Sequence, residues 1–239
     1  MKMGMGMPIP NLSNLPGASR PGGGGGGGAP ALAQIDNVYS MEFDPASASY
    51  IDLGEDVLFN STGSFSFSTW CKLDAYSPTY PPICKLKTDQ STGFVIFLSA
   101  TSPYQGISIG SNANFIRAKT DGNISGDFIG TWKHVCITFD GVNRTVTSSY
   151  KIFVDGSSVA LTTTGGFATT ANENTLGLGS NPGLTFNGLI DETAIFNVAL
   201  TDAEILSIYN ATAVVEGVNK TADLSQLTTP PVAWYRMGD

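Results

Sequence analysis

The sequence predicts an all-β protein: a two-sheet antiparallel jelly-roll sandwich with one short helix and an extended N-terminal arm. Only 13% of the 239 residues are charged and 28 are glycine, a composition that suits short strands joined by tight turns. From Ile35 onward, short segments with period-two apolar alternation follow one another at regular spacing, which is typical of a sandwich. Residues before this point are rich in proline and glycine and carry no such pattern.

The predicted arm is residues 1–33, and residues 34–239 are the predicted sandwich. Gly22 to Gly28 is an uninterrupted glycine run, which has no side chains to bury and a large ordering entropy, so the arm is expected to be a flexible tether. Isolated apolar side chains of the arm can dock in pockets on a partner. These predicted assembly anchors are Met5, Met7, Ile9, Leu12 and Leu15.

The strand patterns predict which side chains fill the core. In the segment 64–73, alternation places Phe65, Phe67 and Cys71 on one face and Trp70 on the other. Asp155-Gly156 is a two-residue hairpin signal between two further strands. The residues expected between the sheets are Phe65, Phe67, Val135, Ile137, Phe139, Ile152, Val154, Ile190 and Ile195.

The sequence predicts one helix, which begins after Thr201. Thr201 is placed as an N-cap, and Glu204 completes a capping box. Apolar residues follow with helical spacing up to Asn210. A polar tail and a final strand within 230–237 are expected after it.

Composition excludes several classes of function. The net charge of −8 argues against nucleic acid as a partner, because a phosphate backbone demands a basic surface. No run of 18 apolar residues occurs, so no membrane insertion is expected. The N-terminus lacks the apolar segment of a signal peptide, which predicts synthesis in a cytoplasm with no classical secretion route. Cys71, Cys84 and Cys136 fit no metal spacing and are expected to stay reduced.

A resemblance to a known family rests on several short segments. The most specific is Asn187-Gly-Leu-Ile-Asp-Glu192, followed by Ile195-Phe-Asn197, Ala199-Leu200 and Glu204-Ile205. Earlier segments agree with it: Met41-Glu-Phe-Asp44 with Tyr50-Ile-Asp52, Phe65-Ser-Phe-Ser-Thr-Trp70, Thr131-Trp-Lys-His-Val135 with Phe139-Asp140, and Ile152-Phe-Val-Asp-Gly156. Over residues 35–212 the chain resembles the laminin-G-like, concanavalin A-like jelly-roll domains. This resemblance implies the fold and leaves the function open, since the fold serves lectins, adhesion modules, toxins and structural parts.

The sequence predicts no catalytic residues. Glycosidases of this superfold carry a Glu-x-Asp-x-Glu arrangement, whereas Asp191-Glu-Thr-Ala-Ile195 lacks the third carboxylate. Adjacent strand residues point to opposite faces, so Asp191 and Glu192 are not expected to form a catalytic pair. His134 is the sole histidine and has no nucleophile motif around it. The chain is therefore predicted not to be an enzyme.

Calcium is the one cofactor that the resemblance raises. In similar domains the aspartate of this motif helps to hold Ca²⁺ or fixes a loop. Asp191 and Asp44 supply hard oxygen ligands of the type that calcium binds, so they are the candidate metal ligands. The other interpretation is that Asp191 hydrogen-bonds to backbone, and no other cofactor is indicated.

Loop aromatics are the candidates for a contact surface. Tyr76, Tyr80 and Tyr104 lie in proline-containing segments, where they suit contact with a glycan or with another subunit. The residues alone leave both interpretations open. Trp70, Trp132 and Trp234 are expected to be packed instead, as strand tryptophans of sandwiches usually are.

The arm also resembles parts of marine bacteriophage particle proteins, on its Pro-Asn-Leu-Ser-Asn-Leu-Pro-Gly segment and its glycine run. This likeness implies a non-enzymatic virion structural component, either capsid-decorating or associated with a tail or fibre. The predicted final location is a virion, after synthesis in a host cytoplasm. The arm would anchor it to other virion proteins and further copies, and the sandwich would face outward. The alternative is a carbohydrate-binding, lectin-like adhesion module that recognises a host-surface glycan.

Overall fold

A computed structural model describes residues 3–4, 31–47, 50–53, 63–75, 82–86, 95–99, 106–110, 118–120, 128–143, 146–163, 176–181, 184–215 and 218–237. Within these residues the chain forms two large antiparallel sheets, two smaller sheets and one α-helix, which confirms the predicted β-sandwich. All of the strand pairs that build the two sheets are antiparallel.

The first sheet holds eight of the described strands. In spatial order they are β1 (Met3–Gly4), β3 (Ser40–Phe43), β17 (Gly188–Phe196), β5 (Phe65–Leu73), β10 (Lys133–Phe139), β11 (Tyr150–Val154) and β12 (Ser157–Val159), with β20 (Ala233–Tyr235) also paired to β17. Strands that are neighbours in space are therefore often distant along the chain, as in a jelly roll.

The second sheet packs on one face of the first and holds seven of the described strands. In spatial order they are β13 (Leu161–Thr163), β9 (Ala118–Thr120), β8 (Gly106–Gly110), β7 (Val95–Ser99), β6 (Pro82–Leu86), β14 (Leu176–Leu178) and β4 (Ile51–Asp52). Two smaller sheets pair β18 (Ala213–Val215), β19 (Val218–Ala222) and β2 (Gln34–Asp36), and β15 (Ser180–Asn181) with β16 (Leu184–Thr185).

The main hydrophobic core lies between the two sheets. Eight of the nine predicted core residues are buried there, and Val154 packs against them partly buried. Period-two alternation predicted these positions because it fixes which face of a strand each side chain occupies. Cys71 lies in this core and Cys136 on the opposite face of the sheet; both are free thiols, and burial raises the pKa of each.

A second core covers the outer face of the first sheet. The helix α1 (Asp202–Asn210) buries Ile205 and Ile208 there, against residues that include Phe153 and Phe196. Its N-terminus has the predicted capping box: Thr201 Oγ1 accepts from the backbone N of Glu204, and the Glu204 carboxylate accepts from the backbone N of Thr201. The helix ends at Asn210, as the sequence predicted.

The segment after the helix contains more structure than its polar composition predicted. The strands β18 and β19 and a 3₁₀ turn, Leu224–Gln226, occupy it. Backbone hydrogen bonds attach it to the start of the sandwich, from Asp223 N to Ala33 O (2.8 Å) and from Asn37 N to Asn219 O (2.8 Å). These partners are distant in sequence, so local pattern could not reveal them.

One pair of residues from the predicted arm forms a strand. Met3 pairs with Met41, and Gly4 pairs with Ser40. The predicted anchors Met5, Met7, Ile9, Leu12 and Leu15 lie outside the described residues, so their role stays a prediction. In the described part of the chain, no helix has the length and apolar character that a membrane crossing requires.

Candidate functional site

The strand β17 begins at a glycine that the packing requires. Gly188 has a φ of +148°, and a Cβ built on it would lie 2.0 Å from the backbone oxygen of Lys72 on β5. No other residue type can approach a neighbouring backbone so closely. This glycine therefore lets β17 lie directly against β5, which fixes the position of the two carboxylates that follow it.

Asp191 is a buried hydrogen-bond acceptor for the backbone. It is 2% exposed, and its Oδ1 accepts from the backbone N of Glu192 at 2.8 Å. The pairing of β17 with β5 shifts register between Asp191 and Ala194, and Glu192 has a φ of +48°, which together describe a β-bulge. The bulge interrupts the regular alternation of faces that the sequence predicted for Asp191 and Glu192. The hydrogen bond from the backbone N of Glu192 to the Asp191 carboxylate lies within this bulge.

Glu192 joins the last strand to the sheet. It is 4% exposed; its Oε2 accepts from the indole Nε1 of Trp234 at 2.7 Å, and its Oε1 accepts from Nε of Arg236 at 3.3 Å. A buried carboxylate is stable only when such donors compensate for its lost hydration. Both carboxylates of the motif are thus engaged inside the protein rather than presented to a ligand.

The two candidate calcium ligands are not brought together. Asp44 is exposed, and its Oδ1 accepts from the backbone N of Ala46 at 2.8 Å, at the start of the 3₁₀ turn Pro45–Ser47. Ile190 pairs with Met41, so Asp191 comes level with Ser40, four residues from Asp44. At about 3.3 Å per residue this is roughly 13 Å, too far for one ion shared by both carboxylates. No group of three potential metal ligands occurs among the described residues, and these residues do not fit a calcium ion held by both.

His134 lies in an aromatic cluster between the first sheet and the helix. It is fully buried, its Nε2 is 2.9 Å from Ser68 Oγ, and its ring lies 5.3 Å from that of Trp70. The Trp70 ring in turn stacks on Tyr209 of α1 at 5.9 Å. Burial lowers the pKa of His134 to about 3 and is the main reason why the pKa of Tyr209 rises to about 12.

This cluster serves packing rather than nucleophilic catalysis. Ser68 is 2% exposed, so its hydroxyl has no access to a substrate, and His134 Nδ1 has no hydrogen-bond partner within the described residues to orient it. Trp70 and Trp132 are also buried here, and Trp234 is half-buried beside the second core. The expected packing role of the strand tryptophans is therefore confirmed for Trp70 and Trp132.

The three loop tyrosines predicted as contacts, Tyr76, Tyr80 and Tyr104, lie outside the described residues, so their role stays a prediction. The structure instead presents an exposed aromatic residue that was not predicted from the sequence. Tyr50 is 61% exposed and immediately precedes the edge strand β4. The sequence pattern that could have identified Tyr50 is an aromatic residue two positions before an aspartate.

Tyr50 and Asp52 lie on the solvent side of this edge strand. Ile51, between them, packs against the main core, and alternate strand residues share a face, so the exposed ring and the exposed carboxylate lie side by side. Asp52 pairs with Gly177, and Ile51 pairs with Leu178. The neighbouring strand therefore places a glycine beside Asp52, and a ligand can approach a glycine backbone closely.

The fold defines the class of protein: an antiparallel sandwich of the concanavalin A type with a helix on its outer face. The sequence profile described as "Concanavalin A-like lectin/glucanases superfamily", a laminin G profile, matches residues 45–206. The chain belongs to this family. Among curated proteins, none matches the sequence.

Solved structures with the same architecture include carbohydrate-binding proteins. A putative carbohydrate-binding protein from Bacteroides ovatus is 15% identical with a TM-score of 0.55; the alignment covers 87% of this chain and 53% of that one. Domain 4 of AbnA, a GH43 extracellular arabinanase from Geobacillus stearothermophilus in complex with arabinotriose, is 22% identical with a TM-score of 0.53, over 74% of this chain and 81% of that domain.

A third similar structure is the binding domain of Paraclostridial Mosquitocidal Protein 1, at 15% identity and a TM-score of 0.51 over 75% of this chain and 45% of that one. The chain thus spans about half the length of the first and third of these proteins. At these identities the similarity shows the fold alone.

Proposed function

We propose that this chain is a non-enzymatic carbohydrate-binding module whose glycan site is the solvent side of β4. The observation that carries the proposal is the exposed ring of Tyr50 beside the exposed carboxylate of Asp52. An aromatic face packs on the apolar C–H face of a sugar ring, and a carboxylate accepts strong hydrogen bonds from sugar hydroxyls. Gly177, which pairs with Asp52 on the adjacent strand, has no side chain that would crowd a ligand there.

The absence of hydrolysis is part of the same proposal. Glycoside hydrolysis needs two carboxyl groups that flank the scissile bond. Asp191 and Glu192 are buried and bonded to the backbone, Trp234 and Arg236, which supports a structural role for both. The similarity to a domain solved with arabinotriose supports sugar binding as the function of the fold here.

Replacing Tyr50 by alanine is expected to weaken glycan binding by about tenfold, the effect of losing about 1.4 kcal/mol of binding energy. The probes are a glycan array, which finds a ligand, and calorimetry with the best array ligand and with arabinotriose. Tyr39→Ala is the matched control, since Tyr39 is a 42% exposed tyrosine outside the proposed site and its loss should leave affinity unchanged. Equal affinities of the two variants, or no binding to any glycan, would refute the proposal.

We also propose a second role, as a virion structural subunit anchored by its arm, with other virion proteins and further copies as partners. Met3–Gly4 pairs with Ser40 and Met41 of the same chain, so this part of the arm can add a strand to a sheet edge, which is one way in which a segment attaches to a partner. Deleting residues 1–28 should leave the sandwich folded by circular dichroism and remove the protein from purified particles. Full incorporation of the truncated protein would contradict this role.

A further inference from the structure

Two neighbouring polar side chains are buried without a hydrogen-bond partner where the chain enters the first sheet. Asn37 follows β2 and is 3% exposed, and Ser40 begins β3 and is 2% exposed. Within the described part of the chain, Oδ1 and Nδ2 of Asn37 and Oγ of Ser40 form no hydrogen bond. Native proteins rarely leave a buried polar atom unpaired, because its lost hydration is then uncompensated. A further group that pairs with these atoms is therefore expected.

The strand register directs both side chains into the layer between the first sheet and the three-stranded sheet of β2, β18 and β19. The backbone N of Asn37 donates to Asn219 O at 2.8 Å and so extends the ladder of β2 with β19. Asp36 is exposed, so Asn37 beside it faces the buried side of that sheet. Met41 packs against the main core, so Ser40 beside it faces the outer side of the first sheet. The Cα atoms of Asn37 and Ser40, three positions apart, are at most about 11 Å apart.

The charged groups around this layer are two carboxylates and one guanidinium. Asp191 is 2% exposed and level with Ser40 across β3 and β17, and its Oδ1 accepts from the backbone N of Glu192. Arg236 donates to Glu192 Oε1 at 3.3 Å and to the backbone carbonyl just before Asn37. The two carboxylates oppose an anion here, and the guanidinium opposes a cation beside Asn37.

The unpaired atoms require a ligand that both donates and accepts hydrogen bonds. Asn37 Nδ2 needs an acceptor and its Oδ1 needs a donor, while the Ser40 hydroxyl can serve as either. A metal ion pairs with oxygen atoms alone, and an anion pairs with donors alone. Water does both, and a buried water typically forms about three hydrogen bonds with such groups.

We propose that ordered water bridges the side chains of Asn37 and Ser40. This contact fastens the segment between β2 and β3, close to the end of the predicted arm, to the outer side of the first sheet. Bridging waters are nearly as favourable as direct hydrogen bonds, so the loss of either side chain destabilises the fold. The inference does not depend on glycan binding.

The first experiment is a double-mutant cycle in the full-length chain, with Asn37→Leu and Ser40→Ala. Leucine is about the size of asparagine and forms no side-chain hydrogen bond. Each substitution should raise the unfolding equilibrium constant, measured in urea, by about tenfold. The double variant should raise it by less than the product, because one bridge serves both residues. An Asn37→Leu variant that is more stable than the unaltered chain, or effects that multiply independently, would overturn the proposal.

Thr212→Val is the matched control. Thr212 is 3% exposed, and its Oγ1 also has no hydrogen-bond partner within the described residues. It immediately precedes β18, which β19 separates from β2, so it lies at least about 9 Å from Asn37. Its effect should therefore multiply independently with that of Asn37→Leu. Equal coupling of Asn37 to Thr212 and to Ser40 would indicate a general loosening and contradict a shared water.

A direct test needs no variant. A high-resolution crystal structure of the unaltered chain should show a water within about 3.2 Å of both the Asn37 amide and Ser40 Oγ. Addition of a chelator should leave the melting temperature unchanged. The lack of a shared water there, or a chelator-sensitive melting temperature with an ion at this position, would overturn the proposal.

Discussion

Gly188→Ala is expected to lower the free energy of unfolding by about 3 kcal/mol or more, or to prevent folding. The added Cβ would lie 2.0 Å from the backbone oxygen of Lys72 and 3.0 Å from the Cα of Leu73. Neither atom belongs to a flexible side chain, so β17 and β5 would have to separate. Urea unfolding followed by tryptophan fluorescence measures the loss.

Gly130→Ala is the matched control for this substitution. Gly130 also has a positive φ, of +68°, but a Cβ built on it meets nothing within 4 Å. Alanine at position 130 is therefore disfavoured only by the left-handed backbone conformation, and the substitution should lower the free energy of unfolding by about 1–2 kcal/mol. If the two variants lose the same stability, the close approach of β17 to β5 is not what requires glycine at position 188.

Phe67→Ala is expected to cost about 3–5 kcal/mol, the usual penalty for truncating a buried aromatic side chain. Phe67 is 1% exposed in the main core and pairs with Ile137 on one side and Ile195 on the other. Its removal therefore opens a cavity where three central strands meet. The midpoint and slope of denaturant unfolding give the change in free energy.

Leu206→Ala provides the comparison for this truncation. Leu206 is 45% exposed on α1, so its loss should change stability by well under the cost at Phe67, on the order of 1 kcal/mol. A loss below about 1 kcal/mol for Phe67→Ala would mean that β5 does not occupy the centre of the sheet.

The elements that were predicted best from the sequence depend on interactions between residues close together in the chain. The capping box of Thr201 and Glu204 involves atoms only three residues apart, and it formed as predicted. The hairpin at Asp155-Gly156 likewise depends on two adjacent residues, whose φ angles of +50° and +74° are those that the sequence signal requires. The alternation in β5 and β10 placed the main core, because the period of a strand fixes its two faces.

The candidate site was less predictable, because it depends on contacts between distant segments. Asp191 was selected with Asp44 as a calcium pair, but the register of β3 against β17 separates them. Glu192 is bonded to Trp234 and Arg236, more than forty residues later in the chain. Asp52 acquires its neighbour Gly177 only through the pairing of β4 with β14.

The sequence by itself determined the all-β class, the strand faces, the helix with its cap and the family, since each follows from spacing within a few residues. Only the tertiary structure decided that the polar segment after the helix covers the first sheet, that a bulge turns Glu192 inward to Trp234, and that Tyr50 and Asp52 face solvent, with Gly177 beside Asp52. The physical reason is that register and burial are set by strands far apart in sequence, whose pairing no local pattern encodes.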